Sequence, residues 1–136
     1  MNITRIRPLN ETELLVATEG MGVYKLDMNK CILERYISAN YQSYNEMNGD
    51  NINDVFVDES KRIWLANYPT GITVIDYRYE NYHWMKHSMG NKQSIVNDQV
   101  HAVIEDSDGD LWFGTSNGIS LYNSGTGEWH SFLSSF

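Results

Sequence analysis

Residues 106–118 read Asp106-Ser107-Asp108-Gly109-Asp110-Leu111-Trp112-Phe113-Gly114-Thr115-Ser116-Asn117-Gly118. Two clusters of turn formers, Asp106–Gly109 and Ser116–Gly118, bracket an apolar run too short for a helix. That pattern predicts a short β-strand between two tight turns. Upstream, Val100–Glu105 is a second short run with β-branched residues, and downstream Ile119-Ser120-Leu121-Tyr122 is a third. A further turn, Asn123–Gly127, precedes Glu128-Trp129-His130-Ser131-Phe132. The stretch therefore reads as four strands joined by tight turns, with no sustained helical spacing or caps.

The same pattern occurs twice more. An offset of 48 places Ile52 on Val100, Val55 on Val103, Asp58 on Asp106, Ile63 on Leu111 and Trp64 on Trp112. Gly71–Asp76 falls on Gly118–Asn123 at an offset of 47, so the Asn67–Thr70 loop carries one extra residue. Further along, Trp84 aligns with His130 or, slipped, with the neighbourhood of Trp129. A weaker copy opens the chain at an offset of 49, with Ile3 on Ile52, Ile6 on Val55 and Gly22–Asp27 on Gly71–Asp76. It has Leu15 where the others have Trp, and Leu9 where they have Asp.

A period of about 48 residues with four strands per copy is the signature of a β-propeller blade. One blade cannot bury both faces of its sheet, whereas stacking on a neighbour does. The expected fold is all-β, a β-propeller segment of about three four-stranded antiparallel blades. The 136 residues form a single segment, with blade-like repeats at about 1–37, 51–86 and 97–133 and connectors at 38–50 and 87–96. Propellers close with about four to eight blades. Three leave open edges with unpaired groups and apolar faces, so a homo-oligomer through the open blade edges is expected, with strand exchange as the competing outcome.

Composition narrows the function. An apolar fraction of 41% supports a packed core and excludes a disordered tail. Eighteen acidic against ten basic side chains give a net charge of −8, which argues against nucleic acid and anionic lipid as partners. Cys31 is the single cysteine, so neither a disulfide framework nor a Cys-rich zinc site is available. No run of 18 apolar residues supplies a membrane span, so no direct membrane insertion of this segment is expected. Met1–Arg5 lacks the apolar core of a signal peptide.

Residues 97–122, above all Asp106–Thr115 with Asn117-Gly118-Ile119 close behind, resemble the two-component regulator propeller repeat. Asp58–Asn67 is a degenerate match that lacks the turn Gly and the Gly-Thr pair. The resemblance implies part of the periplasmic sensor of a hybrid two-component histidine kinase/response regulator, responding to an oligosaccharide and signalling to a kinase elsewhere in the parent. A propeller scaffold for protein–protein assembly, without small ligand, is the alternative. This chain shows no phosphoacceptor His in a kinase-like helix and no receiver carboxylate cluster.

Catalytic, metal and cofactor motifs find no support in the residues. Asp106–Asp110 begins like a calcium loop, but positions six and twelve hold Leu111 and Asn117 in place of Gly and Glu, so a hairpin turn is expected. His83, His87, His101 and His130 lack metal-ligand spacing, and there is no Gly-x-Ser-x-Gly elbow. No enzyme activity and no cofactor are expected. Trp64 and Trp112 are expected in the inter-blade core, with Trp84 and Trp129 packed on outer strands. Ligand contacts are expected on the face carrying the connectors and the loops 19–21, 67–70 and 116–117. There Tyr68, an aromatic at a loop tip, is the lead candidate, joined by Asn67, Tyr41, Tyr44 and His87. Aromatic faces with amide partners suit neutral sugars.

Overall fold

The computed structural model describes residues 1–38, 49–76 and 81–133, with backbone alone at 81 and 82. Twelve strands form three four-stranded antiparallel sheets. The first holds β1 (Asn2–Pro8), β2 (Glu13–Glu19), β3 (Val23–Asp27) and β4 (Ile32–Ile37). The second holds β5 (Ile52–Val57), β6 (Ile63–Asn67), β7 (Gly71–Asp76) and β8 (Asn81–Met85). The third holds β9 (Val100–Glu105), β10 (Leu111–Thr115), β11 (Gly118–Tyr122) and β12 (Trp129–Phe132). Within each sheet the strands lie in chain order.

Packing follows the two faces of each strand. Leu15, Ala17, Val23 and Ile37 of the first sheet share one core with Ile52, Val55, Ile63, Leu65 and Ile75 of the second. The opposite face of the second sheet, through Trp64, Ala66, Ile72 and Val74, shares another with Val100, Val103, Leu111, Phe113 and Trp129 of the third. The middle sheet is thus covered on both sides, and β6 and β7 are buried along their whole length. Asp54 ties all three sheets together. Its carboxylate accepts from Arg5 Nε at 3.1 Å and, on the other oxygen, from the Val103 N–H at 3.0 Å.

Equivalent positions report which faces lack a neighbour. Ile52, Val55, Val100 and Val103 are at most 1% exposed, whereas Ile3 and Ile6 of the first sheet are 52% and 53% exposed. On the far side of the third sheet Ile104 and Ile119 are 55% and 46% exposed. Trp64 is buried between sheets, but Trp112 is only half-buried and stacks on Phe132 at 5.7 Å. The expectation that both tryptophans fill an inter-blade core therefore holds for Trp64, while Trp112 faces outward from the last sheet. The outer strands also differ from the sequence alignment. Thr73 pairs with Trp84 and its counterpart Ser120 pairs with Ser131, so Trp84 corresponds to Ser131 and not to His130 or Trp129.

The sharp bends fall where the repeat predicted them. Gly22, Gly71 and Gly118 all have positive φ, and a Cβ on each would lie 2.3–2.6 Å from a backbone carbonyl of the outermost strand. Only glycine fits a chain held that close in that conformation.

Candidate ligand-binding face

One end of the sheets gathers the loops after β2, β6 and β10 with the segments that lead into β5 and β9. Backbone hydrogen bonds fix the arrangement. Gly22 N–H donates to Asp50 and Gly71 N–H to Asp98, each at 2.8 Å, so the bend of one sheet is held by the lead-in to the next. Tyr68 N–H donates to the Asn51 carbonyl at 2.9 Å and Ser116 N–H to that of Gln99 at 3.0 Å.

Tyr68 lies here as expected, with its ring 5.5 Å from that of His101. Asn53 Nδ2 donates to the Val100 carbonyl at 3.1 Å and approaches His101 Nδ1 at 3.4 Å. An amide N–H facing Nδ1 makes that atom the acceptor, so Nε2 carries the proton and donates to Ser116 Oγ at 2.7 Å. Asn51 Oδ1, beside this group, is buried and takes no hydrogen bond among the described residues. Tyr68, His101, Asn53 and Ser116 form one polar and aromatic cluster at the boundary of the second and third sheets. It brings aromatic rings together with amide and hydroxyl groups, a combination typical of small-molecule sites.

The other sequence candidates separate. Asn67 is fully buried: its amide donates to the Gly49 carbonyl at 3.1 Å and accepts from Thr73 Oγ1 at 2.7 Å. It presents no surface, because it holds the loop beneath Tyr68. His87 lies apart from Tyr68, in a cleft of about 590 Å³ between the connector and β12. Its Nδ1–H donates to the Ile95 carbonyl at 2.8 Å, and Asp98 accepts from its backbone N–H. Tyr41 and Tyr44 lie outside the described residues. Sequence reasoning missed His101 and Asn53, whereas Ser116 lies in the 116–117 loop that it placed on this face. The available signal was position: His101 aligns with Asn53 and Thr4 at the start of the innermost strand, one loop away from Tyr68.

The Asp106–Asp110 stretch is a turn at the other end of the sheet. Asp106 accepts from the Trp112 indole at 2.8 Å and from the N–H groups of Asp108 and Asp110. The indole bond, with the turn amides behind it, holds the Asp106 carboxyl below the usual range. In the second sheet, Asp58 likewise accepts a hydrogen bond from the Trp64 indole, at 2.9 Å. Glu105, nearby, is pushed up by burial beside Asp58 and Glu59.

Three stacked four-stranded meanders with this repeat are blades of a β-propeller. Residues 94–117, the lead-in to the third sheet and its first two strands, match the two-component regulator propeller family. The fold is that of the extracellular domain of a protein from B. thetaiotaomicron described as a hybrid two component system, BT3049, with a TM-score of 0.80 and 20% identity. The corresponding domain of BT4673 from the same organism gives 0.76 and 20%. These matches take in 97% and 98% of this chain but only 18% of either domain. No curated protein matches the sequence.

Proposed function

We propose that the chain is an extracytoplasmic, non-catalytic ligand-sensing segment of a hybrid two-component regulator, placed in the periplasm, that responds to an oligosaccharide. The observation that carries this reading is the Tyr68–His101–Asn53–Ser116 cluster on the loop-bearing face of a regulator-type propeller. Support for the extracytoplasmic setting comes from the shared fold with extracellular domains of hybrid two component systems. Ligand binding would favour one arrangement of blades over another and so bias a kinase elsewhere in the parent protein. Calorimetry with a panel of neutral oligosaccharides tests it. Binding is expected, and Tyr68→Ala should weaken it about tenfold, which corresponds to about 1.4 kcal/mol. Absence of binding across the panel would overturn the ligand-sensing reading.

A second reading is favoured by the outward apolar faces of the first and third sheets. In it the segment is a scaffold whose faces assemble with other blades, including those of a second copy, and no small ligand binds. The two readings part in the calorimetric panel.

A further inference from the structure

The hairpin tip between β10 and β11 sets an asparagine directly before a glycine that the bend requires. Gly118 has φ +106, and a Cβ there would lie 2.6 Å from the Phe132 carbonyl, so the residue after Asn117 is confined to glycine. Asn117 is exposed at the tip. Its backbone N–H donates to Thr115 Oγ1 at 3.1 Å, but its carboxamide takes no hydrogen bond among the described residues. Asparagines in other turns are held. The side-chain oxygen of Asn91 accepts from the Gln93 N–H, that of Asn97 from Gln99, and that of Asn123 from Gly125 and Thr126, at 2.8–3.0 Å. Each of these three is also followed by a residue with a side chain. The equivalent bends of the other sheets carry Met21 before Gly22 and Thr70 before Gly71, so neither has an amide to offer.

We propose that Asn117 is a site of spontaneous covalent modification, at which the chain converts its own asparagine to aspartate and isoaspartate. The Gly118 nitrogen attacks Asn117 Cγ. A new N–C bond closes a succinimide ring, the bond from Cγ to the side-chain nitrogen breaks, and that nitrogen leaves as ammonia with the proton from Gly118. Water then opens the ring at one carbonyl or the other. Asparagine and water thus give an acid and ammonia, with no oxidant or reductant consumed. Glycine favours the attack because no Cβ shields its nitrogen, and the untethered carboxamide can swing onto it. The product matters because of what the tip holds. Ser116 N–H donates to the Gln99 carbonyl at 3.0 Å, and Ser116 Oγ meets His101 Nε2 at 2.7 Å. Isoaspartate lengthens the main chain by a methylene between Ser116 and Gly118, and either product adds a negative charge. The reaction therefore loosens the support of His101 in the cluster with Tyr68 and Asn53.

The test ages the whole chain in mildly alkaline buffer, folded and, in parallel, unfolded in urea. Fragment mass spectra then place each amide-to-acid mass change at its residue, and an isoaspartate assay divides the products. In the folded sample Asn117 is expected to convert to both products while Asn91, Asn97 and Asn123 stay intact. Asn48, which also precedes a glycine, lies outside the described residues and is read in its own peptide. Ion exchange should show the Asn117 product shifted by one negative charge. Asn117→Gln should abolish that shift, because the longer side chain must close a larger and slower ring. The isoaspartate form should also show displaced His101 imidazole resonances; unchanged resonances would overturn the effect on the cluster. An intact Asn117 in the folded chain, whether or not urea releases it, would overturn the site itself. Conversion led by Asn91, Asn97 or Asn123 would overturn the argument from their tethered amides.

Discussion

At the scale of single residues, the aspartate and tryptophan of the second and third repeats act as a pair. Asp58 accepts from the Trp64 indole, from the Arg62 side chain and from the Arg62 N–H, at 2.7–2.9 Å. The first copy lost both partners together, with Leu9 and Leu15 in their places, and so has no orphaned indole N–H there. Asp58→Ala strands that donor and should cost about 2 kcal/mol in urea unfolding. The acid limb of stability divides between two groups of opposite sign. Asp106 titrates below its unfolded value, so its contribution is complete above about pH 5 and is lost as pH falls through the lowered folded value. Asp106→Asn should flatten that part of the profile. Glu105 is raised, so its ionised form disfavours folding at neutral pH, and Glu105→Gln should stabilise there but not in acid. Backbone conformation gives another contrast. Lys61 occupies the Gly109 position with φ +66, and Lys61→Gly should raise stability by about 0.5 kcal/mol.

At the scale of elements, burial ranks the tryptophans. Trp64 is sealed between two sheets against Phe113 and Tyr122, and Trp64→Ala should cost about 3–5 kcal/mol in denaturant unfolding. Trp112→Ala at the equivalent place in the third sheet should cost clearly less, because its outer face is uncovered. The inner and middle strands were legible in the sequence because turn residues and the Gly–Trp spacing recur with few insertions. Outer strands were not: Trp84 is 44% exposed and donates to the Thr70 carbonyl, whereas Trp129 is nearly buried against Phe113 and Tyr122. Both look alike as an aromatic near the end of a copy. Register shifts at Ile52/Asp54 and Gly114/Thr115 were equally hidden, since a bulge leaves no compositional mark. The site was half legible. Tyr68 stood out as a loop aromatic, but its partner His101 comes from the next blade, and Asn67 read as a loop residue although its amide is turned inward.

For the whole molecule, the two outward faces make a prediction about assembly. The Trp112 face is of the kind that meets innermost-strand residues at both internal boundaries, and Ile3 and Ile6 are such residues left uncovered. Head-to-tail association of two copies would satisfy both faces and close six blades, within the usual range. Light scattering should then give a discrete species at twice 15.7 kDa. Ile104→Asp should return it to the monomer mass, and an unaltered mass in that variant would remove this face from the interface.

The clasp between Gly71 and Asp98, repeated between Gly22 and Asp50, has a genetic consequence. Each joint is made by a glycine from one unit and an aspartate that introduces the next. Excision of residues 51–98 would fuse Asp50 to Gln99 and leave the first joint with both of its members. Blade number can thus grow or shrink through in-frame recombination by whole units, without redesign of any junction. In such a deletion the remaining hinge keeps both its donor glycine and its acceptor aspartate.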